Sequence, residues 1–407
     1  KEIDLSLDRI KTLCKKLGNP QDNINSIQVC GTNGKGSTIS FLRSMLKEAN
    51  IKCNIYTSPH VKCINERFIY NDEMITDDAL SDLLNEVEEV NNGQALTYFE
   101  ALTAAFYLGC KKYNNNLVIT EFGLFGRGDA VNILKKNLCN IVTSCSEDHL
   151  DWLPENERTI ERIIFEKTSS LLNSNIIVAK QDTNNVVECI KKNISNNNAN
   201  KYFFNEDYNF VIKENDFFYY EDKYGGLKIP KPSMKGQFQL ENASTAIATL
   251  RVLENLNIKD QHIINGVKKA YNSARLEEIK SGKLKNLVKD NTLIIDSSHN
   301  PGGSKSLNDY LQTLNCNKHV IIGMMNNKDH EKFISYFKDI SSLTVIDIPN
   351  QVNAISGKKL KEKFKNFSNL SFSENIEQAL KALQLNQTDI IIITGSIYLT
   401  GEILNLN

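Results

Sequence analysis

Val29-Cys30-Gly31-Thr32-Asn33-Gly34-Lys35-Gly36-Ser37-Thr38 is the stretch on which the reading of this chain turns. The apolar run Ile27–Cys30 ahead of it predicts a strand, and Gly36–Glu48 behind it predicts a helix. That setting is what a phosphate loop requires. Glycines at 31, 34 and 36 let backbone N–H groups turn inward around phosphate oxygens, and the helix N-terminus adds partial positive charge. Lys35 is placed to bridge outer phosphates, and the Ser37 hydroxyl to reach Mg²⁺. The strict pattern G-x-x-x-x-G-K-S/T is not met, because position 29 is Val and Gly36 separates Lys35 from Ser37. A plain Gly-rich strand-to-helix turn is the competing reading.

Outward from the loop, short β-rich runs alternate with amphipathic stretches, the signal of a parallel sheet. Strands are predicted at Lys52–Thr57, Leu117–Thr120, Asn140–Ser144 and Asn175–Ala179, with a helix over Phe99–Lys112. The aromatic, polar stretch from Asn198 to Pro232 reads as appended antiparallel strands, followed by helices at Glu241–Asn255 and Asp260–Tyr271. Beyond the polar link Lys280-Ser281-Gly282-Lys283 the alternation starts afresh, with strands at Leu293–Ser297, His319–Gly323, Leu343–Ile348 and Asp389–Thr394. The expected fold class is α/β. A phosphate-loop ATPase-like domain over residues 1–278 precedes a smaller Rossmann-like α/β domain over 279–407.

Composition narrows the function. A length of 407 residues suits two or three domains, and a hydrophobic share of 41% with a net charge of -1 is globular. Near-neutral charge argues against a protein built to grip nucleic acid or an anionic membrane. No apolar stretch approaches the roughly 20 residues of a membrane span. The opening Lys1-Glu2-Ile3-Asp4 has no apolar export core, although without an initiator Met a short leader could have been trimmed. Nine scattered cysteines without a C-x-x-C suit neither a disulfide framework nor a zinc site, so the cytoplasm is expected. The heavy use of Asn, Lys and Ile reads as codon bias without chemical meaning.

Further blocks join the loop in a fixed order: Leu17-Gly18-Asn19-Pro20, Tyr56-Thr57-Ser58-Pro59-His60, Asn65-Glu66-Arg67, Leu96-Thr97-Tyr98-Phe99-Glu100 and the run Glu121–Ala130. Thr143-Ser144, Asp148-His149, Asp296-x-x-His299-Asn300-Pro301 and Thr394-Gly395-Ser396 follow. Together with Gly31–Ser37 these blocks resemble the folylpolyglutamate synthase/dihydrofolate synthase family of ATP-dependent Mur-type amide ligases, across nearly the whole chain.

The resemblance implies an enzyme that uses ATP and Mg²⁺ to join L-glutamate to dihydropteroate and to the γ-carboxylate of tetrahydrofolate, through an acyl phosphate. It implies metal ligation by Ser37, Ser58, Glu121 and His149, and ATP contacts from Thr32, Asn33, Gly34, Lys35, Gly36, Ser37, Asn242, Arg275, Asp296 and His299. ATP would then lie between the two domains. Lys35, Glu121, His149 and Lys167 take the catalytic roles, and Lys167 aligns with a lysine carbamoylated in many relatives. The pterin positions map to Ile3, Asp4, Leu5, Leu96, Thr97, Tyr98, Phe99, Gly128, Asp129 and Ala130. Bland readings stay open beside these: a loop at Ser58, a helix cap at Asp148 or His149, an N-cap at Asn242, a surface position for Lys167. Phe99 could simply pack, and Asp296 and His299 could belong to a turn network.

Departures from the family pattern, Phe122, Phe125, Gly128 and Val131, touch the folate pocket and leave the phosphate chemistry alone. In the linker, Ser273-Ala274 replaces Pro-Gly ahead of Arg275, and Phe238 stands where a His is common. A folylpolyglutamate synthase of single function is one alternative, and a cell-wall Mur ligase the nearest other member of the same class. A ligase for UDP-linked cell-wall precursors would carry a further N-terminal domain, for which about 30 residues ahead of the loop leave no room. A phosphate-loop switch ATPase would explain Gly31–Ser37 but not the Asp296 block. A monomer with small-molecule substrates and no nucleic-acid or membrane partner is expected.

Overall fold

The computed structural model describes residues 6–113 and 116–407. Strand β1 (Ser26–Cys30) is buried along its whole length, as a strand covered on both faces must be. It pairs in parallel with β5 (Leu117–Glu121) on one side and β6 (Cys139–Val142) on the other. Strands β2 (Cys53–Tyr56), β3 (Phe68–Tyr70) and β4 (Glu73–Met74) extend one flank, and β7 (Asn175–Val178) and β8 (Lys201–Phe203) the other. The order is β4-β3-β2-β5-β1-β6-β7-β8, in which β3 alone runs against the others, pairing antiparallel with β2 and β4. Register sets Val29 opposite Glu121 and Cys30 opposite Val142. The loops leaving β1, β5 and β6 therefore emerge at one level, the carboxyl end of the sheet where such folds bind ligands.

A three-stranded antiparallel sheet, β9 (Tyr208–Glu214), β10 (Phe217–Asp222) and β11 (Gly225–Pro230), is appended. The expectation of antiparallel strands from Asn198 onward needs correction, because Lys201–Phe203 pairs in parallel with β7 and completes the main sheet. Three residues are too few to show the periodicity that separates the two cases. The helix predicted at Glu241–Asn255 runs over Phe238–Val252, starting just after Gly236, which takes φ 97°.

The chain divides into two compact units. One holds the chain up to Ser233 together with Gln239–Tyr271, and the other holds Met234–Phe238 and Asn272–Asn407. The sequence placed the change at 278/279. The difference arises because β12 (Glu277–Ile279), too short and acidic to be read as a strand, pairs antiparallel with β13 (Thr292–Ile295) and so belongs to the second sheet. That sheet adds β14 (Lys318–Ile322), β15 (Ser342–Ile346), β16 (Leu370–Ser373) and β17 (Ile390–Thr394), in the order β12-β13-β17-β14-β15-β16. Its core is built on Ile294, Val320, Ile322, Phe333, Val345 and Ile392.

Asparagine carries more meaning than codon usage. Among the described residues, nine of the fifteen non-glycine positions with positive φ are Asn. Asn tolerates the left-handed region because its short side chain bonds locally. It closes the helix Asp77–Asn91, for example, from Asn92 at φ 53°.

The helix after the phosphate loop, Lys35–Glu48, packs against the helix Asp260–Lys269 at Gly266. A Cβ on Gly266 would fall 2.4 Å from Met45 Cα and 2.6 Å from its backbone nitrogen. Backbone cannot yield as a flexible side chain can, so Gly266→Ala should lower unfolding free energy by about 2 kcal/mol in urea melts. An unchanged midpoint would contradict this close approach.

Candidate functional site

The phosphate loop is shaped by two glycines. A Cβ on Gly31 (φ 131°) would meet Thr143 Oγ1 at 2.1 Å, and one on Gly34 (φ 88°) would meet Asn242 Oδ1 at 2.5 Å. The N–H groups of Thr32 and Asn33 donate to the Ser144 carbonyl at 2.8 and 3.1 Å, tying the loop to the segment after β6. Thr32 Oγ1 donates to the Ser146 carbonyl at 3.0 Å and accepts its N–H at 3.1 Å, while Asn33 Nδ2 donates to Ser146 Oγ at 3.0 Å. With those two amides engaged, the donors suited to phosphate are in the first turn of Lys35–Glu48, whose N–H groups have no partner inside the helix. Lys35 Nζ lies within the loop, donating to the carbonyls of Gly31 and Thr32 at 3.2 and 3.1 Å.

Glu121 closes β5 beside this loop, only 6% exposed. Its Oε2 accepts the Ser58 N–H at 3.1 Å, and its Oε1 lies 3.8 Å from Lys35 Nζ. Ser58 is buried as well, and its Oγ has no hydrogen-bond partner among the described residues. Ser37, buried in the first helical turn, accepts from Gln239 Nε2 at 3.4 Å. Among the described residues no group of three or more His, Cys, Asp and Glu side chains is placed to hold a metal. The donor set is instead one carboxylate with hydroxyls. That suits Mg²⁺, which is bound through one or two carboxylates plus phosphate oxygens and keeps several waters. The partnerless Ser58 Oγ fits a ligand to such an ion.

His149 takes φ 59° at the start of the short helix Leu150–Trp152, its Nε2 3.7 Å from Asp148 Oδ2. Asn242 is not a helix cap: it sits buried inside Phe238–Val252, donates to Gln239 Oε1 at 3.1 Å and packs on Gly34. Gln239 and Ser146 were missed from the sequence. Neither carries a motif signal of its own in the sequence.

Lys167 is not a surface residue. It is buried on the helix Ile160–Thr168, and its Nζ donates to the Leu124 carbonyl at 2.8 Å. Burial, aided by the charge of Lys35, pushes its ammonium down to about 8. The neighbouring Glu166 receives two hydrogen bonds from Arg127, at 3.0 and 2.8 Å, and an ion pair from Arg162 at 2.6 Å. This fixes the loop after Glu121 against the Lys167 helix.

Of the pterin positions, Ile3, Asp4 and Leu5 lie outside the described residues. Thr97 caps Tyr98–Lys112 in a reciprocal capping box with Glu100. The Phe99 ring stacks on Tyr56 at 5.9 Å and lies so close to Gly123 that a Cβ there would sit 2.8 Å away. Leu96 is half-buried, and Tyr98 is 61% exposed beneath the Arg67 guanidinium. Asp129 faces inward, accepting the N–H groups of Gly123, Leu124 and Val131 at 2.8, 3.0 and 3.0 Å. Burial pushes its carboxyl up to about 6 despite those donors. Asp129 and the buried Ala130 thus shape the loop from within, with Gly128 half-exposed between them and Arg127.

In the second unit, Asp296 is buried with one carboxylate oxygen on the Leu276 N–H and the other on the Ser298 N–H, both at 3.0 Å. His299 Nδ1 lies 2.9 Å from the Ser297 carbonyl, and Asn300 caps the helix Pro301–Gln312.

Two family descriptions match the chain: Mur ligase middle domain over residues 29–250, and Mur ligase, glutamate ligase domain over 275–397. A dihydrofolate synthase/folylpolyglutamate synthase of Bacillus subtilis is 28% identical over 423 residues, covering 98% of this chain and 94% of that protein. Escherichia coli FolC, solved in complex with DHPP and ADP, superimposes with a TM-score of 0.86 at 26% identity, over 100% of this chain and 94% of its own. The bifunctional enzyme of Yersinia pestis, solved with AMPPNP and Mn ion, shares the fold at a TM-score of 0.87 and 24% identity, over 100% and 94% of the two chains.

The lowered Lys167 ammonium has a measurable consequence. Between about 8 in the folded protein and 10.5 when unfolded, the unfolded chain binds a proton that the folded one has lost. Stability must therefore rise with pH across that window, by up to about 3 kcal/mol. In CO₂-free buffer, denaturant melts at pH 7 to 10.5 should show this rise against Lys167→Met. A pH-independent difference would contradict the burial.

Proposed function

Since the chain belongs to the Mur ligase family, we propose that it is an ATP-dependent amide ligase acting twice in folate synthesis. It joins L-glutamate to dihydropteroate, and it extends tetrahydrofolate through the γ-carboxylate. The observation that carries this reading is the Glu121 carboxylate held by the Ser58 amide, 3.8 Å from Lys35, at the mouth of the phosphate loop. The names of the relatives support the choice of substrates.

An amide cannot form from a free carboxylate at neutral pH without activation. The substrate carboxylate attacks the γ-phosphorus of ATP, the bond to ADP breaks, and an acyl phosphate results. The glutamate amine then attacks that carbonyl and expels phosphate, losing a proton. No protein nucleophile is needed, so positioning and electrostatics carry the rate. Lys35 and the first turn of Lys35–Glu48 hold the outer phosphates. Glu121, Ser58 and Ser37, with His149, are the proposed Mg²⁺ ligands; the bound ion would offset the charge of the two anions as they approach. Asn242 and Arg275 are proposed as nucleotide contacts, with His299. Lys167, its amine pushed down to about 8, can bond to CO₂ with loss of a proton and become a carbamate. Phe99 offers a flat apolar face to the pterin.

Among the described residues no helix is long and apolar enough to cross a membrane. A cytoplasmic monomer without nucleic-acid partners completes the proposal.

The test is ADP release by purified protein with ATP, Mg²⁺ and glutamate, given dihydropteroate in one tube and tetrahydrofolate in another. Glutamate-dependent release in both is expected. Release in one alone would reduce the enzyme to that single step. Glutamate-independent hydrolysis, unaffected by either folate, would overturn the ligase reading and favour a switch ATPase.

A further inference from the structure

Gln181 stands three residues beyond the end of β7, 9% exposed, with both ends of its side-chain amide engaged. Its Oε1 accepts the Cys145 N–H at 2.9 Å. Its Nε2 donates to the Thr143 carbonyl at 3.3 Å and to the Ala179 carbonyl at 2.9 Å. A residue in a parallel strand bonds in the same way to the two neighbours of the residue it faces, through one N–H and one C=O. The Gln181 amide therefore takes the place of a backbone unit opposite Ser144, two residues past Val142, where β6 ends. Ser144 is also where the phosphate loop is tied. Its carbonyl accepts the Thr32 and Asn33 N–H groups, and Ser146 exchanges hydrogen bonds with the Thr32 and Asn33 side chains. Thr143 lies against Gly31, where a Cβ would meet its Oγ1.

We propose that Gln181 is a positioning residue for the nucleotide: its amide prolongs the pairing of β6 with β7, and so sets the level at which Ser144 and Ser146 hold the phosphate loop. The inference rests on the reading of Gly31–Ser37 as a site for nucleotide phosphates. Position 181 needs a side chain that accepts and donates at once. An ionised glutamate would keep the acceptor for Cys145 but offer Thr143 no hydrogen, and a methionine of similar length offers neither.

A double-mutant cycle on the full chain tests this. ATP affinity in the presence of Mg²⁺ is measured by calorimetry, and stability by urea melts, for the native protein, Gln181→Met, Thr32→Val and the double variant. Gln181→Met weakens ATP about fivefold or more, while the KM for glutamate stays within about twofold of native. Thr32→Val removes the hydroxyl that joins the loop to Ser146. A loop already cut from Ser146 feels less of a shift in that segment, so the combined loss falls at least about threefold short of the product of the single losses. A lower urea midpoint with native ATP affinity in Gln181→Met makes Gln181 a part of the fold alone and overturns the proposal. Losses that multiply overturn it too, because Gln181 then acts on the nucleotide by a route other than this segment. A native protein that does not bind ATP overturns the reading of the phosphate loop itself, a different result from either. Should Gln181→Met fail to fold by circular dichroism, Gln181→Asn takes its place, one methylene too short to keep both Thr143 and Cys145, and the same outcomes decide.

Discussion

The Glu121 carboxylate sits almost wholly out of water at the end of a strand that is otherwise Leu, Val, Ile and Thr. Burying such a charge is costly unless it is paired and hydrogen-bonded. One oxygen has the Ser58 amide, and the other has Lys35 at 3.8 Å, too far for a hydrogen bond. Beside it, the buried Ser58 Oγ has no hydrogen-bond partner among the described residues. A hard cation, as proposed above, would give the Ser58 oxygen a partner. Much of the first unit serves to bring these atoms together: parallel β1 and β5 set the level, Gly31 and Gly34 let the loop turn, and Gly266 lets a second helix brace the one that carries Lys35 and Ser37.

The same principle orders the surrounding loops. Carboxylates in this protein repeatedly hold backbone, whether buried like Asp129 and Asp296 or partly exposed like Glu66. Asp129 gathers three N–H groups of the loop after Glu121, Glu66 gathers those of Val61, Lys62 and Cys63, and Asp296 gathers two around the linker. Each fixes the course of a segment that bears residues proposed to meet substrate. Rigid scaffolding of that kind keeps reacting groups within the narrow geometric tolerance that acyl-phosphate chemistry demands.

The phosphate loop, the alternation of strands and helices, and Glu121 were legible in the sequence, because each rests on local signals several residues long. A buried strand, glycines at fixed offsets and a carboxylate ending an apolar run need no tertiary knowledge. The short strands β3, β4, β8 and β12 were not legible, since two or three residues hold no period and their pairing comes from partners far along the chain. Direction was equally hidden. Asp129 and Asp296 stand in motifs that suggest ligand contact, yet their oxygens turn inward to amides, and Lys167 lies against Leu124, 43 residues earlier in the chain. Ala274 shows the opposite case: the departure from Pro-Gly was visible, but that its φ of 54° is the one a glycine would adopt freely is a property of the folded turn.

The central claim is that the Ser58 hydroxyl is there for a metal and not for the fold. Ser58→Ala removes an oxygen with no hydrogen-bond partner among the described residues, so metal-free unfolding free energy should change by no more than about 0.5 kcal/mol. Affinity for Mg²⁺ in the ternary complex with nucleotide should fall at least about tenfold, read by titrating the metal at saturating ATP. A loss of stability above about 1 kcal/mol together with unchanged metal affinity would contradict the account.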